Sequence, residues 1–207
     1  LLQLLQVRRG SNCRIQGTDC DAVWVLTQAR EHLIRRTFEA LQGVPRAIVH
    51  LYNATAPVMR RVVLNMSEDE IVELATTNAQ MFKDIAAQHP QTQWTFQYSP
   101  EMYSDTELEF SKRVIDAVTA VWQPTPENKC IINLPTTIEH STPNIFADMV
   151  EWMHRHIARR LQIADVQRVH RHPQAVDQRR GFIVERGTGR VARPQRAVVE
   201  AVRHHQH

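Results

Sequence analysis

Glycine is scarce in this chain, with six in 207 residues, and only Gly10, Gly17 and Gly43 precede residue 180. Nucleotide sites of the dinucleotide or P-loop kind are built on a Gly-rich turn between a strand and a helix, and no stretch here supplies one. Cysteine is nearly absent too. Cys13, Cys20 and Cys130 are an odd count with no C-x-x-C spacing, which excludes a disulfide framework or zinc knuckle and implies reduced thiols. No apolar run approaches the roughly 18 residues of a membrane span. In LLQLLQVRRGSNC the basic pair follows the apolar residues, the reverse of a secretory signal, so the expectation is a cytoplasmic protein without a membrane partner. Lysine is missing from residues 161–207, which hold nine Arg against four acids. That basic tail has one aromatic, Phe182, whereas a nucleic-acid footprint needs a basic folded face interleaved with aromatics; no nucleic-acid partner is expected.

With 43% hydrophobic residues the chain is large and apolar enough for a real core, and between Ala22 and Arg160 its pattern is regular. Four short β-rich runs, Ala22–Thr27, Arg46–Tyr52, Gln93–Tyr98 and Cys130–Leu134, read as strands. Helical patterns follow them. Gln28–Leu41 is closed by Gly43; an apolar stretch at 57–64 precedes the capping box Ser67-Glu68-Asp69-Glu70; a helix capped by Thr106 runs to Trp122; and Thr142-Pro143 opens a helix to about Arg160. Alternating strands and helices at this spacing argue for βαβ units around a parallel sheet. The shortage of glycine favours a section of a β/α barrel over a doubly wound nucleotide fold. Both ends break the pattern: residues 1–21 show no cleanly alternating strand, and the lysine-free segment 161–207 has the composition that translation of GC-rich coding sequence in a wrong frame produces. Expected domains are therefore a poorly ordered segment 1–21, a partial barrel 22–160 and an Arg-rich tail 161–207.

Reactive groups of a β/α barrel sit at the C-terminal ends of its strands. In WTFQYSPEM (94–102) Ser99 and Glu101 are two residues apart, and on an extended chain such residues point to the same side. The plainer reading is a Ser-Pro turn with a solvated glutamate. His50 ends the second strand, and Asn133 and Thr137 lie at and just beyond the end of the fourth. Each has an ordinary explanation alone, as a core histidine or a turn residue. Five exceptions at one end of adjacent strands point instead to a ligand site.

The segments RAIVHLYNAT (46–55), TQWTFQYSPEMYSDTELEF (92–110) and NLPTTIEHSTPNIFADMVEWM (133–153) closely resemble the 2-isopropylmalate synthases. These belong to the metal-dependent, Claisen-condensing β/α-barrel family that also holds homocitrate and citramalate synthases. The resemblance spans about Val25 to Arg160 and implies a partial (β/α)8 TIM barrel of about four βα units, strands 3 to 6 of the family's eight. It implies acyl transfer from acetyl-CoA to 2-oxoisovalerate in leucine biosynthesis, in an enzyme that is a homodimer when complete. By the same resemblance Glu101 is catalytic and His50, Ser99, Asn133 and Thr137 bind substrate, with Thr137 on the oxoacid carboxylate. The alternatives are homocitrate or citramalate synthesis, or a non-catalytic barrel fragment. The family's divalent metal (Mg²⁺, Mn²⁺ or Zn²⁺) is held by an Arg-Asp pair and an H-x-H. No Arg-Asp dipeptide occurs here, so the isolated chain is expected to bind no metal and to be inactive. His170 and His172 form an H-x-H, but Pro173-Gln174 replaces the acidic residues expected after it, and an accidental pair in an Arg/His-rich tail is the plainer explanation.

Overall fold

A computed structural model describes residues 14–15, 18–19 and 22–167. Two two-residue strands, β1 (Arg14–Ile15) and β2 (Thr18–Asp19), pair antiparallel. They fall in a segment expected to hold no strand, because two residues are too few for alternation to register. The main sheet has five strands: β3 (Val23–Gln28), β4 (Arg46–Ala54), β5 (Gln93–Glu101), β6 (Cys130–Asn133) and β7 (Ile163–Gln167). All neighbours are parallel. Helices α1 (Glu31–Ala40), α2 (Glu68–Ala87), α3 (Leu108–Trp122) and α4 (Pro143–His156) link them in turn.

Strand order in space follows order in sequence without reversal. A doubly wound sheet reverses direction at its switch point; a barrel does not, and its one-handed crossovers bring every helix to the same face. The buried core shows this arrangement. It joins Ile34 and Phe38 of α1, Ile71, Ala75 and Phe82 of α2, Val114 and Val118 of α3 and Val150 and Met153 of α4 to alternate strand residues Val25, Val49, Tyr98 and Ile132. Phe82, fully buried, meets Phe38 edge-on at 5.3 Å and Phe96 at 5.7 Å between ring centroids. At roughly 1.5–3 kcal/mol per fully buried large side chain, this outer layer supplies the main force holding helices to sheet.

Local signals decide where elements begin and end. Ser67 accepts from the Glu70 backbone N–H while its own N–H donates to the Glu70 carboxylate at 2.7 Å, the expected capping box. Gly43, at φ 81°, turns the chain after α1 where a side chain would be strained. Three expectations are corrected. Thr106 does not cap α3: Glu107 takes the cap position without a side-chain cap bond, and the Thr106 hydroxyl donates back to the Met102 carbonyl. The third parallel strand does not stop at Tyr98 but runs through Pro100 to Glu101. Proline is accommodated because β6 pairs with β5 only at Gln97 and Tyr98, so the missing N–H falls beyond that ladder. The ordered sheet also passes the expected boundary at residue 160, since Ile163–Gln167 adds a fifth parallel strand through Cys130↔Ile163 and Asn133↔Gln167.

Candidate active site

Strand alternation gives the sheet a second face, opposite the helices, and there the sequence is polar. On β5 the residues of that face are Gln93, Thr95, Gln97, Ser99 and Glu101; on β4 they include His50 and Tyr52; on β6 they include Asn133. In a barrel this is the inner face. His50 and Gln97 are register partners, and Ser99 lies one step further along β5 beside Tyr52. The side chains at these positions therefore crowd together at the C-terminal ends of three adjacent strands.

Ser99 is the centre of the cluster. Its hydroxyl oxygen, fully buried, lies 2.6 Å from His50 Nε2 and accepts from Asn133 Nδ2, also at 2.6 Å. Burial disfavours the charged imidazole and holds the His50 pKa down to about 3, so His50 is neutral near pH 7. Either neutral tautomer leaves His50 Nδ1 without a partner, and Asn133 Oδ1 and Gln97 Nε2 are likewise buried and unpaired among the described residues. An unpaired buried polar atom costs on the order of 1–3 kcal/mol. Three of them on one face of neighbouring strands form a surface made to be met by a polar ligand or water. Beneath them, Trp24 Nε1 donates to Gln97 Oε1 at 2.9 Å, and the Trp24 ring lies 5.7 Å from that of His50.

At the rim stands the second pair. Thr137, exposed on the loop after β6, donates its hydroxyl to the half-buried Glu101 carboxylate at 2.5 Å. That loop is tied to the turn after β5 at two further points: Ser104 Oγ donates to the Ile138 carbonyl, and His140 Nδ1 meets Asp105 at 2.7 Å. All five residues singled out in the sequence are thus brought together, as a His50–Ser99–Asn133 triad and a Glu101–Thr137 pair on one strand end. The histidine is not the satisfied core residue of its plainer reading, and Glu101 is not merely solvated. Gln97 and Trp24 were not foreseen, although the every-second-residue polarity of QWTFQYSPE is a signal that marks Gln97. Cys130, whose thiol burial pushes up to about 12, is inert core.

Among the described residues no three His, Cys, Asp or Glu side chains are grouped to hold a metal ion, so these residues do not fit a divalent cation. His170 and His172 lie outside the described residues. No described helix is long and apolar enough to cross a membrane.

Much of this chain is shared with known proteins. Over 136 residues, 66% of this chain, it is 65% identical to the 2-isopropylmalate synthase of Paraburkholderia phytofirmans and 62% identical to that of Paraburkholderia xenovorans. Over 142 residues it is 60% identical to the 2-isopropylmalate synthase of Pseudomonas syringae pv. tomato. The chain spans about a quarter of the length of these relatives, 24% of the first two and 26% of the third. One family model, HMGL-like, matches residues 13–175, a stretch that takes in all five parallel strands and every residue of the polar cluster. This chain belongs to the HMGL-like family.

Proposed function

We propose that this chain carries part of the active site of a 2-isopropylmalate synthase, an acyltransferase that joins the acetyl group of acetyl-CoA to the keto carbon of 2-oxoisovalerate. The product, 2-isopropylmalate, begins leucine biosynthesis. The supporting observation is that the stretch matched by the HMGL-like family model, residues 13–175, folds into the strand-end cluster of His50, Ser99, Glu101, Asn133 and Thr137, in a chain 65% identical over 136 residues to such a synthase.

In the reaction a base removes a methyl proton from the thioester, the resulting carbanion attacks the keto carbon, and water then cleaves the thioester to release CoA. Thr137 donates a hydrogen bond from its hydroxyl to the oxoacid carboxylate, exchanging Glu101 for substrate as its acceptor. Glu101 stands beside the reacting carbons as the catalytic carboxylate. Behind them Asn133 holds the Ser99 hydroxyl, and His50, in the tautomer whose Nε2 accepts from Ser99, presents its unpaired Nδ1–H to an oxygen of the oxoacid; the neutral imidazole adds no charge that would hold the carboxylate in the wrong place. A divalent cation supplies the charge that steadies the alkoxide in this class of reaction; the described residues do not fit one. A cytoplasmic homodimer, with no nucleic-acid or membrane partner, completes the reading.

Grafting residues 25–160 in place of the matching segment of the Paraburkholderia phytofirmans synthase tests it. The graft is expected to release CoA from acetyl-CoA with 2-oxoisovalerate at a rate comparable with the parent. Preference for 2-oxoglutarate or pyruvate would move the reading to homocitrate or citramalate synthesis. A folded graft that releases CoA with no 2-oxo acid would overturn it.

A further inference from the structure

Arg60 is the one buried arginine among the described residues, its side chain only 9% exposed. It sits on the π-helical turn Met59–Leu64, with its guanidinium 4.5 Å above the centre of the Phe110 ring. Two parallel bonds of 2.9 Å join it to the Glu107 carboxylate, and Nη1 also donates to the Thr55 carbonyl at 2.9 Å. Glu68 lies 3.4 Å away. Burying a guanidinium is costly, and apolar replacements of buried ion pairs are often no less stable, so so directional a fork invites the question of what it holds in place.

Its partners lead to Glu101. The Thr55 N–H donates to the Glu101 carbonyl at 3.1 Å. The Thr55 and Thr106 hydroxyls are 2.8 Å apart, and Thr106 donates to the Met102 carbonyl at 2.8 Å. Each hydroxyl has one proton, so both short contacts are made only if Thr55 donates to Thr106 and Thr106 to Met102, which leaves the Glu101 carbonyl to the Thr55 N–H. Met102 is a buried, non-glycine residue in the left-handed region at φ 62°, a conformation that costs an ordinary residue on the order of 1–2 kcal/mol. That turn follows Glu101 directly and sets the direction in which its side chain leaves the strand. Glu107 supports the same arrangement: instead of capping α3 its carboxylate serves Arg60.

We propose that Arg60, acting with Thr55 and Thr106, is a positioning residue for Glu101: it fixes the backbone at Glu101 and Met102 so that the carboxylate faces Thr137 and the 2-oxo acid instead of solvent. That Glu101 and Thr137 take a 2-oxo acid rests on the function proposed above; the path from Arg60 to the Glu101 backbone does not. The Thr55 hydroxyl lies 3.1 Å from the Glu101 carbonyl, and no hydrogen bond joins any of the three side chains to the Glu101 carboxylate or the Thr137 hydroxyl, so their influence passes through the main chain.

The test uses the full 207-residue chain, labelled with ¹³C at the glutamate carboxyls. Thr137→Val removes the hydroxyl bonded to Glu101 and is expected to shift the Glu101 carboxyl resonance. In Thr106→Val and in Arg60→Lys backgrounds that shift is expected to fall by at least half, and Thr106→Ser, which keeps the hydroxyl, to retain it. Affinity for 2-oxoisovalerate should weaken roughly fivefold or more in Thr106→Val, the scale of one hydrogen bond, and recover in Thr106→Ser. A merely structural role lowers stability without uncoupling Glu101 from Thr137. Folded variants, judged by circular dichroism, that keep the full Thr137→Val shift overturn the proposal. If Arg60→Lys does not fold, the two Thr106 variants decide. Loss of coupling in a chain that takes no 2-oxo acid upholds the positioning and overturns the function reading; intact coupling with the oxoacid bound does the reverse.

Discussion

Neighbouring residues of the same strands live in different surroundings on the two faces of the sheet. Val49, Tyr98 and Ile132 are packed among helix side chains in the apolar core, and the Tyr98 hydroxyl, buried with them, donates to Asn53 Oδ1 at 2.8 Å. One residue along each strand, His50, Ser99 and Asn133 are as deeply buried, yet His50 and Asn133 each keep an atom without a partner. The helix-facing side is built for stability by its apolar packing; Tyr98 is paired there, and the small hydroxyls of Thr27 and Ser111 are the groups on it without a partner among the described residues. The inner side is built at the expense of stability, because water or ligand has to complete it. A face that carries unmet polar atoms at strand ends is where binding belongs.

The sharpest way to break this contrast is to damage the helix-facing side alone. Phe82→Ala should cost about 3–5 kcal/mol of stability, as for other buried aromatics cut to alanine, measured by urea unfolding; a loss under about 1 kcal/mol would mean the outer layer is not the core. The next effect is on pH. His50 titrates at about 3 when folded against an ordinary 6.5, so the unfolded chain takes up more protons between those values. Stability is complete above pH 6.5 and is lost as pH falls towards 3, by up to about 1.4 kcal/mol per pH unit. Between pH 6.5 and 5 the contribution amounts to about 2 kcal/mol, and in His50→Gln it should vanish from the urea midpoints.

Smaller changes sharpen the comparison from the inner side. Asn133→Leu removes an unpaired buried oxygen together with the Nδ2 donor to Ser99, so stability should fall by no more than about 2 kcal/mol while 2-oxoisovalerate affinity drops roughly tenfold as Ser99 and His50 lose their orientation. A large loss of stability with unchanged binding would reverse the assignment of this face. Smallest of all, Leu26→Thr should alter stability by no more than about 0.5 kcal/mol, because Leu26 is 53% exposed on the inner face beside the buried Val25.

Much of this contrast was legible in the sequence. Short apolar and β-branched runs located four of the parallel strands, and Ser67 with Glu70 announced α2, because these signals depend on residues close in the chain. The strand-end cluster was legible as a list of polar exceptions, since a barrel confines its reactive groups to one end. Its internal wiring was not: the bonds from Ser99 to His50 and Asn133 span 49 and 34 residues, and no local pattern encodes them. Thr106 misled for a related reason. A threonine three residues before a glutamate fits a capping box, but Thr55, 51 residues earlier, shares its hydroxyl in another network. Ile163–Gln167 was missed because a five-residue strand that ends beside an Arg-rich tail leaves the composition of the surrounding window unchanged.

Adjacent isoleucines on β6 allow the most direct test of the central claim, that the inner strand ends bind a 2-oxo acid. Ile131 shares the face of Asn133, and Ile132 lies in the helix-facing core. In a methyl-labelled chain titrated with 2-oxoisovalerate, Ile131 and Ile48, beside His50, are expected to show saturable shifts, with Ile132 and Ile34 unmoved. No shift at Ile131 or Ile48, or equal shifts at Ile132, would contradict it.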